Sequence, residues 1–530
     1  MRYAADAIMA RKIDDLTTKK HHIPSIVLME RASLCTADII MENEAVTKPV
    51  VVFAGGGNNG GDGIATGRIL HENGYDVAIV CFSSKDRMSE QTVLQYDIAS
   101  SLGMEFIRFD DFYDKSFYQK NCIIIDAIFG VGLNREIRGE YADCINKINH
   151  MCRSFNSNEL KNTVYSIDIP SGLNASTGRI MGTAVKADHT VTYGLMKTGL
   201  LLQDAAEFAG KVHVCDIGFP KEIIDYIKPD WYYFEENDLN LLPARKSQSN
   251  KGTYGKVVIC AGSPGMCGAA YLSAYAAYRC GCGLVKVLTC DENVDIIKTM
   301  LPEALVSSYS GDIQDMESRI KDDILWADAT VVGPGIGISS EAEILTLAAL
   351  KYSRGSVVID ADGINLLSGL GCEMSEEKSA SFKVSDLLAE AFKENSHKVI
   401  MTPHLKEMTR YSGGSIEDIK NDIIGYALKY CYNNTVLVLK DARTVVTDGK
   451  KVYINISGNN GMATGGSGDV LTGLIASFLA QGADRISAAA LGVYVHGLAG
   501  DAAAKKLGCY SLIARDIADN ISEVLKVKPQ

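Results

Sequence analysis

Residues 50–63, VVVFAGGGNNGGDG, and residues 459–470, NNGMATGGSGDV, decide the fold of this chain. The first stretch joins a short apolar strand to a glycine-rich turn that opens a helix. The second joins a glycine-rich turn to an apolar helix. Backbone N–H groups in such a turn and the positive end of the helix dipole both attract an anion. Each stretch therefore predicts an α/β unit with a phosphate-binding loop.

Apolar strands alternate with helices on both sides of these loops. The strand-like runs are PVVVFA, YDVAIVCF, NCIIIDAIFG, TVYSIDIP, DHTVTYG and KVHVCDIG, then KVVICAG, GLVKVLTC, ADATVVGPGIG, SVVIDADG, KVIMTPH, TVLVLKDARTVV and KVYINI. Buried strands separated by helices are typical of parallel sheets covered on both faces. The alternation weakens between 225 and 250. We therefore expect two α/β domains, 1–224 and 251–530, joined by a linker over 225–250, with a polar surface excursion at 370–395.

Composition excludes several classes of protein. The 530 residues are 47% hydrophobic and 22% charged, which is typical of folded chains and not of disordered ones. Lys plus Arg number 53 against 65 Asp plus Glu, a net charge of −12 that argues against a nucleic-acid partner. No apolar run reaches the roughly 18 residues of a membrane span and no signal peptide is visible, so we expect a cytoplasmic protein without a membrane partner. A homo-oligomer is possible.

The 14 cysteines are too few for a disulfide scaffold of this length. Cys81, Cys122, Cys215 and Cys260 lie inside predicted strands. We expect reduced and mostly buried thiols.

The first glycine loop has the form G-x-G-x-x-G at Gly55, Gly57 and Gly60. The acidic residue that a dinucleotide dehydrogenase carries about 20 residues further on is missing, which disfavours that class of enzyme. Polar residues follow three predicted strands, at Asn59, Asp126 and Asp168 with Ser171. Because the carboxyl ends of parallel strands share one edge of the sheet, these side chains are expected to lie together. Such oxygens suit a hard cation, and a spare carboxylate transfers protons.

The motifs SIVLMERAS, GGGNNGGDG, DAIFGVGLNRE and DIPSGLN resemble the NAD(P)H-hydrate epimerase domain over roughly residues 1–220. The resemblance implies a Rossmann-like domain that interconverts the R and S epimers of hydrated NADH and NADPH at position 6 of the nicotinamide ring. It implies a potassium ion held by Asn59, Asp126 and Ser171, with Asp168 as the catalytic acid or base. The implied contacts with the hydrated dinucleotide are Asn58, Asn59, Gly60, Gly61, Asp62, Gly130, Val131, Gly132, Leu133, Asn134, Arg135, Glu136 and Asp168.

The second loop places Asp469 at the start of a helix, where it is positioned to take a proton from a substrate hydroxyl beside a transferring phosphate. No G-K-[S/T] sequence occurs, which excludes P-loop chemistry as far as sequence allows. A lipase-type nucleophile at Ser467 also fails, because Asp469 stands where G-x-S-x-G requires its second glycine.

The motifs AGSPGMCGAAYLSA, VGPGIG, IDADGINLL, TPHLKEM, LVLKDARTVV and ATGGSGDVLTG resemble the ADP-dependent NAD(P)H-hydrate dehydratase domain over roughly 245–525. The resemblance implies a ribokinase-like fold, with ADP as co-substrate and magnesium as a helper. It implies that Ala269, Gly337, His404 and Asp469 contact the hydrated dinucleotide, and that Lys440, Asp441, Ala442, Arg443, Thr444 and Gly468 hold the adenylate part of ADP. Lys406 and Asp441 each replace a glycine that the family usually has.

These resemblances predict one cofactor-repair enzyme with two active sites, an isomerase and a lyase. The first equilibrates the epimers of NADHX and NADPHX, and the second dehydrates the S form at the expense of ADP. One alternative is a small-alcohol or vitamin-precursor kinase, which would release a stable phosphoester. A second is that the N-terminal half only binds a dinucleotide or docks a partner.

Overall fold

The computed structural model describes residues 1–112, 121–151, 162–202, 205–368, 386–432 and 435–526. The chain forms two compact units. The N-terminal unit is Tyr3–Trp231, and the C-terminal unit is Tyr232–Gln530 together with Met1–Arg2. In the described ranges, no helix is both long and apolar enough to cross a membrane.

The N-terminal unit is a parallel sheet covered by helices. Its strands are β1 (Arg2–Ala5), β2 (Val50–Ala54), β3 (Val77–Cys81), β4 (Glu105–Arg108), β5 (Ile123–Ala127), β6 (Thr163–Ile167), β7 (His189–Tyr193), β8 (Met196–Lys197) and β9 (Lys211–Cys215). Its helices are α1 (Ala7–His21), α2 (Ser25–Asn43), α3 (Asn58–Glu72), α4 (Glu90–Ser101), α5 (Phe109–Phe112), α6 (Glu140–Met151), α7 (Thr198–Leu201), α8 (Ala205–Phe208) and α9 (Lys221–Ile227).

Seven of these strands form one sheet in the order β4-β3-β2-β5-β6-β7-β9, with every pairing parallel. The strand order reverses direction between β2 and β5, so a crevice opens at their carboxyl ends. Val50 and Val52 of β2 pack into the core on one face of the sheet, and Val51 and Phe53 pack into the core on the other. Burial on both faces explains the uninterrupted apolar run at 50–54.

The C-terminal unit also contains a mainly parallel sheet. Its strands are β10 (Trp231–Tyr233), β11 (Lys256–Cys260), β12 (Leu284–Thr289), β13 (Leu305–Ser308), β14 (Ala329–Val332), β15 (Ser356–Ile359), β16 (Val399–Met401), β17 (Val436–Leu439), β18 (Val445–Thr447) and β19 (Val452–Ile454). Its helices are α10 (Cys267–Arg279), α11 (Asp291–Met300), α12 (Ile313–Leu325), α13 (Ser340–Tyr352), α14 (Asp362–Leu366), α15 (Asp386–Asn395), α16 (Leu405–Ser412), α17 (Ile416–Asn421), α18 (Ile423–Tyr430), α19 (Ser467–Ala480), α20 (Arg485–Leu507) and α21 (Ala514–Val524).

The strand order in this unit is β13-β12-β11-β14-β15-β16-β17-β18-β19-β10. Pairings are parallel from β13 to β17 and antiparallel from β17 to β19. The order reverses between β11 and β14, which opens a second crevice. Apolar α19 and α20 lie in the core of this unit with Ile475 and Leu491 buried, which explains why both helices are apolar over most of their surface.

Part of the predicted linker, 225–250, is ordered and packed. A 3₁₀ helix spans Glu236–Leu241, and Tyr232, Phe234 and Leu239 are buried in the core of the C-terminal unit. The aromatic ring of Phe234 lies 4.6 Å from that of Tyr453, measured between ring centroids. Of the expected surface excursion, residues 370–385 lie outside the described residues, and 386–395 form α15.

A disulfide joins Cys35 of α2 to Cys215 at the end of β9, so the expectation of reduced thiols is wrong for this pair. The two cysteines lie 180 residues apart in the sequence and meet only because α2 packs on the sheet. Cys81, Cys122 and Cys260 are thiols outside any disulfide, as expected.

Candidate active sites

A cavity of about 880 Å³ opens at the crevice between β2 and β5 in the N-terminal unit. That volume lies within the range of sites that hold small organic ligands. The first turn of α3, the loop after β5, the end of β6 and one side of α1 form its walls. The polar residues that line it include Arg11, Asp14, Asn58, Asn59, Asp62, Asn134, Arg135, Asp168 and Lys197.

The glycine loop brings backbone close to backbone at the cavity floor. A Cβ atom at Gly60 would overlap the carbonyl oxygen of Gly55, so only glycine fits at position 60. Asn58 accepts a hydrogen bond from the Ser89 hydroxyl at 2.6 Å, which fixes its side chain at the cavity edge. Gly57, Asn58 and Asn59 at the N-terminus of α3 line the same space.

Asp126 and Ser171 form a buried polar network behind this wall. The Ser171 hydroxyl donates to Asp126 Oδ1 at 2.5 Å, and the Ser166 hydroxyl donates to Oδ2 at 2.7 Å. Burial raises the pKa of Asp126, although hydrogen bonds from Ser171 oppose the shift. Asn59 has a buried amide nitrogen without a hydrogen-bond partner, and its carboxamide lies against Gly130. The predicted cation ligands therefore come from the carboxyl ends of three strands: Asn59 is in the first turn of α3 after β2, Asp126 is near the end of β5, and Ser171 follows β6.

Asp168 follows β6 in a left-handed backbone conformation, with φ of 66°. A non-glycine residue adopts this conformation at a cost, and such positions concentrate where a side chain must be aimed. Its Oδ1 atom lies 2.8 Å from the Nζ atom of Lys197. Lys197 is buried and also donates to the Tyr193 carbonyl at 2.8 Å and to the Thr192 hydroxyl at 3.1 Å. All three ammonium protons are thus directed at acceptors.

Sequence analysis missed Asp14 and Lys197, which both line this cavity. Desolvation by the surrounding protein raises the pKa of Asp14 to about 6, with Lys197 opposing the shift and Asp168 adding to it. Burial, reinforced by Asp168 and Asp14, also raises the pKa of Asp62 well above its ordinary value. Asp14 stands on an ordinary amphipathic helix, and no local signal distinguishes it from its neighbour Asp15.

Among the predicted dinucleotide contacts in the described structure, Asn58, Asn59, Asp62, Asp168 and the loop from Gly130 to Arg135 line the cavity. Gly60 and Gly61 are buried beneath it. Glu136 instead pairs with Arg138 at 2.9 Å on the surface.

In the C-terminal unit, the loops after β11 and β14 meet at the second crevice. The Ser263 N–H donates to the Gly335 carbonyl at 2.7 Å, which joins the two loops. Ala269 lies against Gly335: a Cβ atom added to Gly335 would be 3.1 Å from the Ala269 methyl group. Gly337 has φ of 75° and donates its N–H to Asp362 at 2.9 Å. Ala269 therefore lies against the loop that carries Gly337.

Asp469 lies in the first turn of α19, directly after the glycine turn at Gly466, whose φ is 90°. Burial and the nearby Asp360 carboxylate raise the pKa of Asp469 to about 7, while Lys440 opposes the shift. A carboxyl group with a pKa near neutrality is suited to accept a proton during catalysis. Gly468 lies beside Lys440, and a Cβ atom at position 468 would be 3.2 Å from the lysine Nζ.

Asp360 is the residue that sequence analysis missed in this site. It follows β15, is only 2% exposed, and pairs with Lys440 through a 2.6 Å contact between Oδ1 and Nζ. The Thr402 hydroxyl donates to the same oxygen at 2.7 Å. Burial disfavours the charge on Lys440, but Asp360 and Glu407 outweigh it and raise the pKa of the lysine. The IDADG motif did signal a carboxylate at a strand end.

His404 caps the N-terminus of α16. Its Nδ1 accepts from the Glu407 N–H at 3.1 Å, and Glu407 accepts from the His404 N–H at 2.8 Å. Burial, aided by Lys440, lowers the pKa of His404, which favours the neutral imidazole. Lys406 is exposed within α16 and Asp441 is exposed after β17, and neither has a positive φ. Lys406 and Asp441 therefore replace the two family glycines without straining the backbone.

The remaining predicted ADP residues follow β17 on the same side of the sheet. Arg443 donates to the Ile456 carbonyl at 2.6 Å, and burial lowers the pKa of its guanidinium. Thr444 donates to the Asp441 carbonyl at 3.1 Å, while Ala442 is exposed. Across the described part of the chain, no group of three or more His, Cys, Asp or Glu side chains is arranged to hold a metal ion.

Comparison with known proteins places both units in one family. A family model for NAD(P)H-hydrate dehydratase matches residues 257–523, and a model for the YjeF-related protein N-terminus matches residues 25–199. A bifunctional NAD(P)H-hydrate repair enzyme of Moorella thermoacetica is 32% identical over 99% of this chain and 97% of its own length. The chain belongs to the bifunctional NAD(P)H-hydrate repair enzyme family. Another member, from Escherichia coli, is 30% identical over 90% of this chain and 84% of its own.

Solved structures resemble the C-terminal part of this family member. A ribokinase-like superfamily protein of Enterococcus faecalis is 28% identical, with a TM-score of 0.48 over 56% of this chain and 96% of its own. An ADP/ATP-dependent NAD(P)H-hydrate dehydratase of Bacillus subtilis, co-crystallised with ATP and Mg²⁺, is 26% identical, with a TM-score of 0.46 over 56% and 97%. The predicted α/β architecture is confirmed by the parallel sheets of both units.

Proposed function

We propose that this chain repairs hydrated nicotinamide cofactors with two active sites. The N-terminal unit interconverts the R and S epimers of NADHX and NADPHX. The C-terminal unit uses ADP to dehydrate the S epimer, which yields NADH or NADPH, AMP and phosphate. The observation that carries the proposal is that each unit assembles an acid–base carboxylate, Asp168 or Asp469, beside a glycine loop at its sheet crevice. Family membership supports the same pair of activities.

In the epimerase cavity, the α3 N-terminus and the loop from Gly130 to Arg135 bind the dinucleotide, since both offer backbone N–H groups to phosphate oxygens. Asp168 transfers protons at carbon 6 of the ring. Lys197 holds the Asp168 carboxylate in place through its 2.8 Å contact. Epimerisation needs such a group because the hydroxyl at carbon 6 leaves and returns only with proton transfer.

A potassium ion fits beside this cavity. Asn59, Asp126 and Ser171 would hold it through carboxamide, carboxylate and hydroxyl oxygens, the donors that hard cations prefer. The unpartnered buried atom of Asn59 is its amide nitrogen, a donor that suits an acceptor oxygen of the substrate and leaves the carboxamide oxygen for the ion. When bound, the ion would neutralise negative charge of the substrate phosphates. The buried network of Asp126, Ser166 and Ser171 keeps its acceptor oxygens in fixed positions.

In the dehydratase site, Asp469 accepts the proton of the ring hydroxyl as that oxygen attacks the β-phosphorus of ADP. The bond from the β-phosphorus to the α,β-bridging oxygen breaks, and AMP departs. Phosphate then leaves carbon 6 with its bonding electrons, and carbon 5 loses a proton to solvent, which restores the double bond between these carbons and the dihydronicotinamide ring of NADH or NADPH. Lys440 and the N–H groups around Gly468 stabilise the developing negative charge.

A magnesium ion would accompany ADP in this site and supply further charge neutralisation to the phosphates. Ala269, Gly337 and His404 line the place of the hydrated ring, and Lys440–Thr444 lie on the side of the adenylate. Because Nδ1 of His404 accepts from the Glu407 N–H, the Nε2 atom of the neutral ring carries the proton and is a donor, with Glu407 Oε1 3.3 Å away and the substrate as its possible acceptors.

The products of dehydration test this function. Purified S-NADHX is incubated with the protein, magnesium and either ADP or ATP, and nucleotides, phosphate and NADH are measured. Equal amounts of NADH, AMP and phosphate with ADP support the proposal. A stable phosphoester of the substrate with no phosphate release would instead indicate a small-alcohol kinase, which family membership does not favour.

A further inference from the structure

Inverting carbon 6 of the hydrated ring requires two proton transfers on opposite sides of one atom. Hydroxide is a poor leaving group, so the departing oxygen must be protonated from one face. Water that adds to the other face must lose a proton there. One carboxyl group on one side of the ring serves only one of these transfers. The requirement rests on the proposed epimerase function, which so far assigns Asp168 alone.

The cavity offers a second carboxyl group that comes from a different wall. Asp168 lies at the end of β6, whereas Asp14 projects from α1, and both line the cavity with Lys197. Strand β1 pairs in parallel with β8, with Ala5 opposite Lys197, and this register sets α1 beside the lysine. Asp14 is solvent-accessible because it stands in the open cavity. It has no ion pair that would withhold it from a ligand among the described residues.

Lys197 interacts unequally with the two carboxyl groups. It is ion-paired with Asp168 at 2.8 Å, and its other protons go to Thr192 and Tyr193. The ammonium group of Lys197 interacts with Asp14 only at longer range. Desolvation raises the pKa of Asp14 to about 6. The other charged groups facing Asp14 are Asp62 from α3 and Asp15 from α1 itself. Two carboxyl groups in unequal environments are the arrangement that lets one act as an acid while the other acts as a base.

We infer that Asp14 is the second catalytic residue of the epimerase, an acid–base partner that works from the α1 wall while Asp168 works from the end of β6. Protonated Asp14 gives its proton to the hydroxyl oxygen on carbon 6. The carbon–oxygen bond breaks, water leaves with the bonding pair, and the ring nitrogen lone pair forms a double bond to carbon 6. Water then adds to the opposite face, the π electrons return to nitrogen, and Asp168 takes the proton of the attacking water.

In the reverse direction Asp168 acts as the acid and Asp14 as the base. The pair with the proton on Asp14 therefore acts on one epimer, and the pair with the proton on Asp168 acts on the other. The proton returns from Asp168 to Asp14 through cavity water, and no other reactant is consumed. Lys197 is a positioning residue that keeps the Asp168 carboxylate aimed through their 2.8 Å contact.

The test follows interconversion of R- and S-NADHX without ADP by chromatography, in water enriched with ¹⁸O. Asp14→Asn should lower kcat about 10²-fold to 10⁴-fold with little change in KM, the size expected for loss of one acid–base group. Asp38 is exposed on α2 and does not line the cavity, so Asp38→Asn provides the control that should keep the wild-type rate. In the wild type, kcat/KM for the epimer that needs protonated Asp14 should fall as pH rises above about 6, and Asp14→Asn should remove that limb.

Wild-type epimerisation should place one solvent oxygen at carbon 6 in each inversion. Retention of the original oxygen would indicate ring opening and overturn the inference. A near wild-type kcat in Asp14→Asn, or a rise in KM alone, would also overturn it, as would loss of kcat in Asp62→Asn with none in Asp14→Asn. Lys197→Arg should restore part of the activity that Lys197→Met loses, whereas equal loss in both would deny the lysine a positioning role.

Failure of the epimerase proposal itself gives a different result. In that case the wild-type protein would not interconvert the epimers at all. Thermal unfolding of the N-terminal unit, compared with the wild type on the same preparations, shows that each variant is folded, because dehydration of S-NADHX reports only on the C-terminal unit.

Discussion

Replacing Lys440 with methionine should destabilise the C-terminal unit and abolish dehydration together. Lys440 is the charged partner of Asp360, with 2.6 Å between Nζ and Oδ1, and the exposed fractions of the two side chains are 18% and 2%. Methionine matches the length of the lysine stem but removes the charge. The Asp360 carboxylate would then retain one hydrogen bond, from Thr402 at 2.7 Å.

The expected magnitude follows from this burial. Breaking a buried ion pair by removing one partner costs about 3–5 kcal/mol, because the remaining charge is left uncompensated. At roughly 2 °C per kcal/mol for a unit of this size, Tm should fall by about 6–10 °C. The double variant Asp360→Asn/Lys440→Met removes both charges and should recover most of this loss, since a neutral asparagine still accepts from Thr402. Its dehydratase activity should stay absent.

Calorimetry of the wild type, both single variants and the double variant completes a thermodynamic cycle. Lys351→Met is the matched control, because Lys351 pairs with Glu317 at 3.6 Å on the surface of the same unit, where such pairs contribute about 0–1 kcal/mol. A Tm for Lys440→Met within 2 °C of the wild type would refute the reasoning. Additive losses in the double variant would refute it as well, since they would show no coupling between Asp360 and Lys440.

Further outcomes follow from single positions. Gly60→Ala should cost the N-terminal unit at least about 1–3 kcal/mol in chemical denaturation, because its methyl group overlaps the Gly55 carbonyl, whereas Gly57→Ala meets no atom within 4 Å and should leave stability unchanged. The kcat/KM of dehydration should fall tenfold per pH unit below about 7, since Asp469 must be ionised to accept a proton; a profile flat down to pH 5 would contradict its role. Lys406→Gly should leave the dehydration rate unchanged and lower the unfolding free energy by up to about 1 kcal/mol in α16, and a faster enzyme would show that Lys406 obstructs the site.

The sequence predicts the layered α/β architecture well, because strands buried on both faces carry continuous apolar runs. Val50–Ala54 and Val257–Cys260 illustrate this pattern, and all of these residues are fully buried. The carboxyl-end rule correctly grouped Asp126 with Ser171, now joined by a 2.5 Å hydrogen bond. Periodicity and strand-end position are local properties that a single sequence displays.

Contacts between residues that are far apart in the chain cannot be predicted from such local properties. Asp14 and Lys197 meet through the pairing of β1 with β8, and Cys35 meets Cys215 across 180 residues. The Asp360 partner, Lys440, lies 80 residues away and belongs to another strand end. Each of these contacts depends on how the elements pack, so nothing in the neighbouring sequence identifies it.

The most direct test of the two-site account is recovery of absorbance at 340 nm from a mixture of both NADHX epimers with ADP, magnesium and potassium. The wild type should restore the whole mixture to NADH. Asp168→Asn should stop at the S fraction, and Asp469→Asn should restore none. Complete recovery by Asp168→Asn at the wild-type rate, or no recovery by the wild type, would contradict the account.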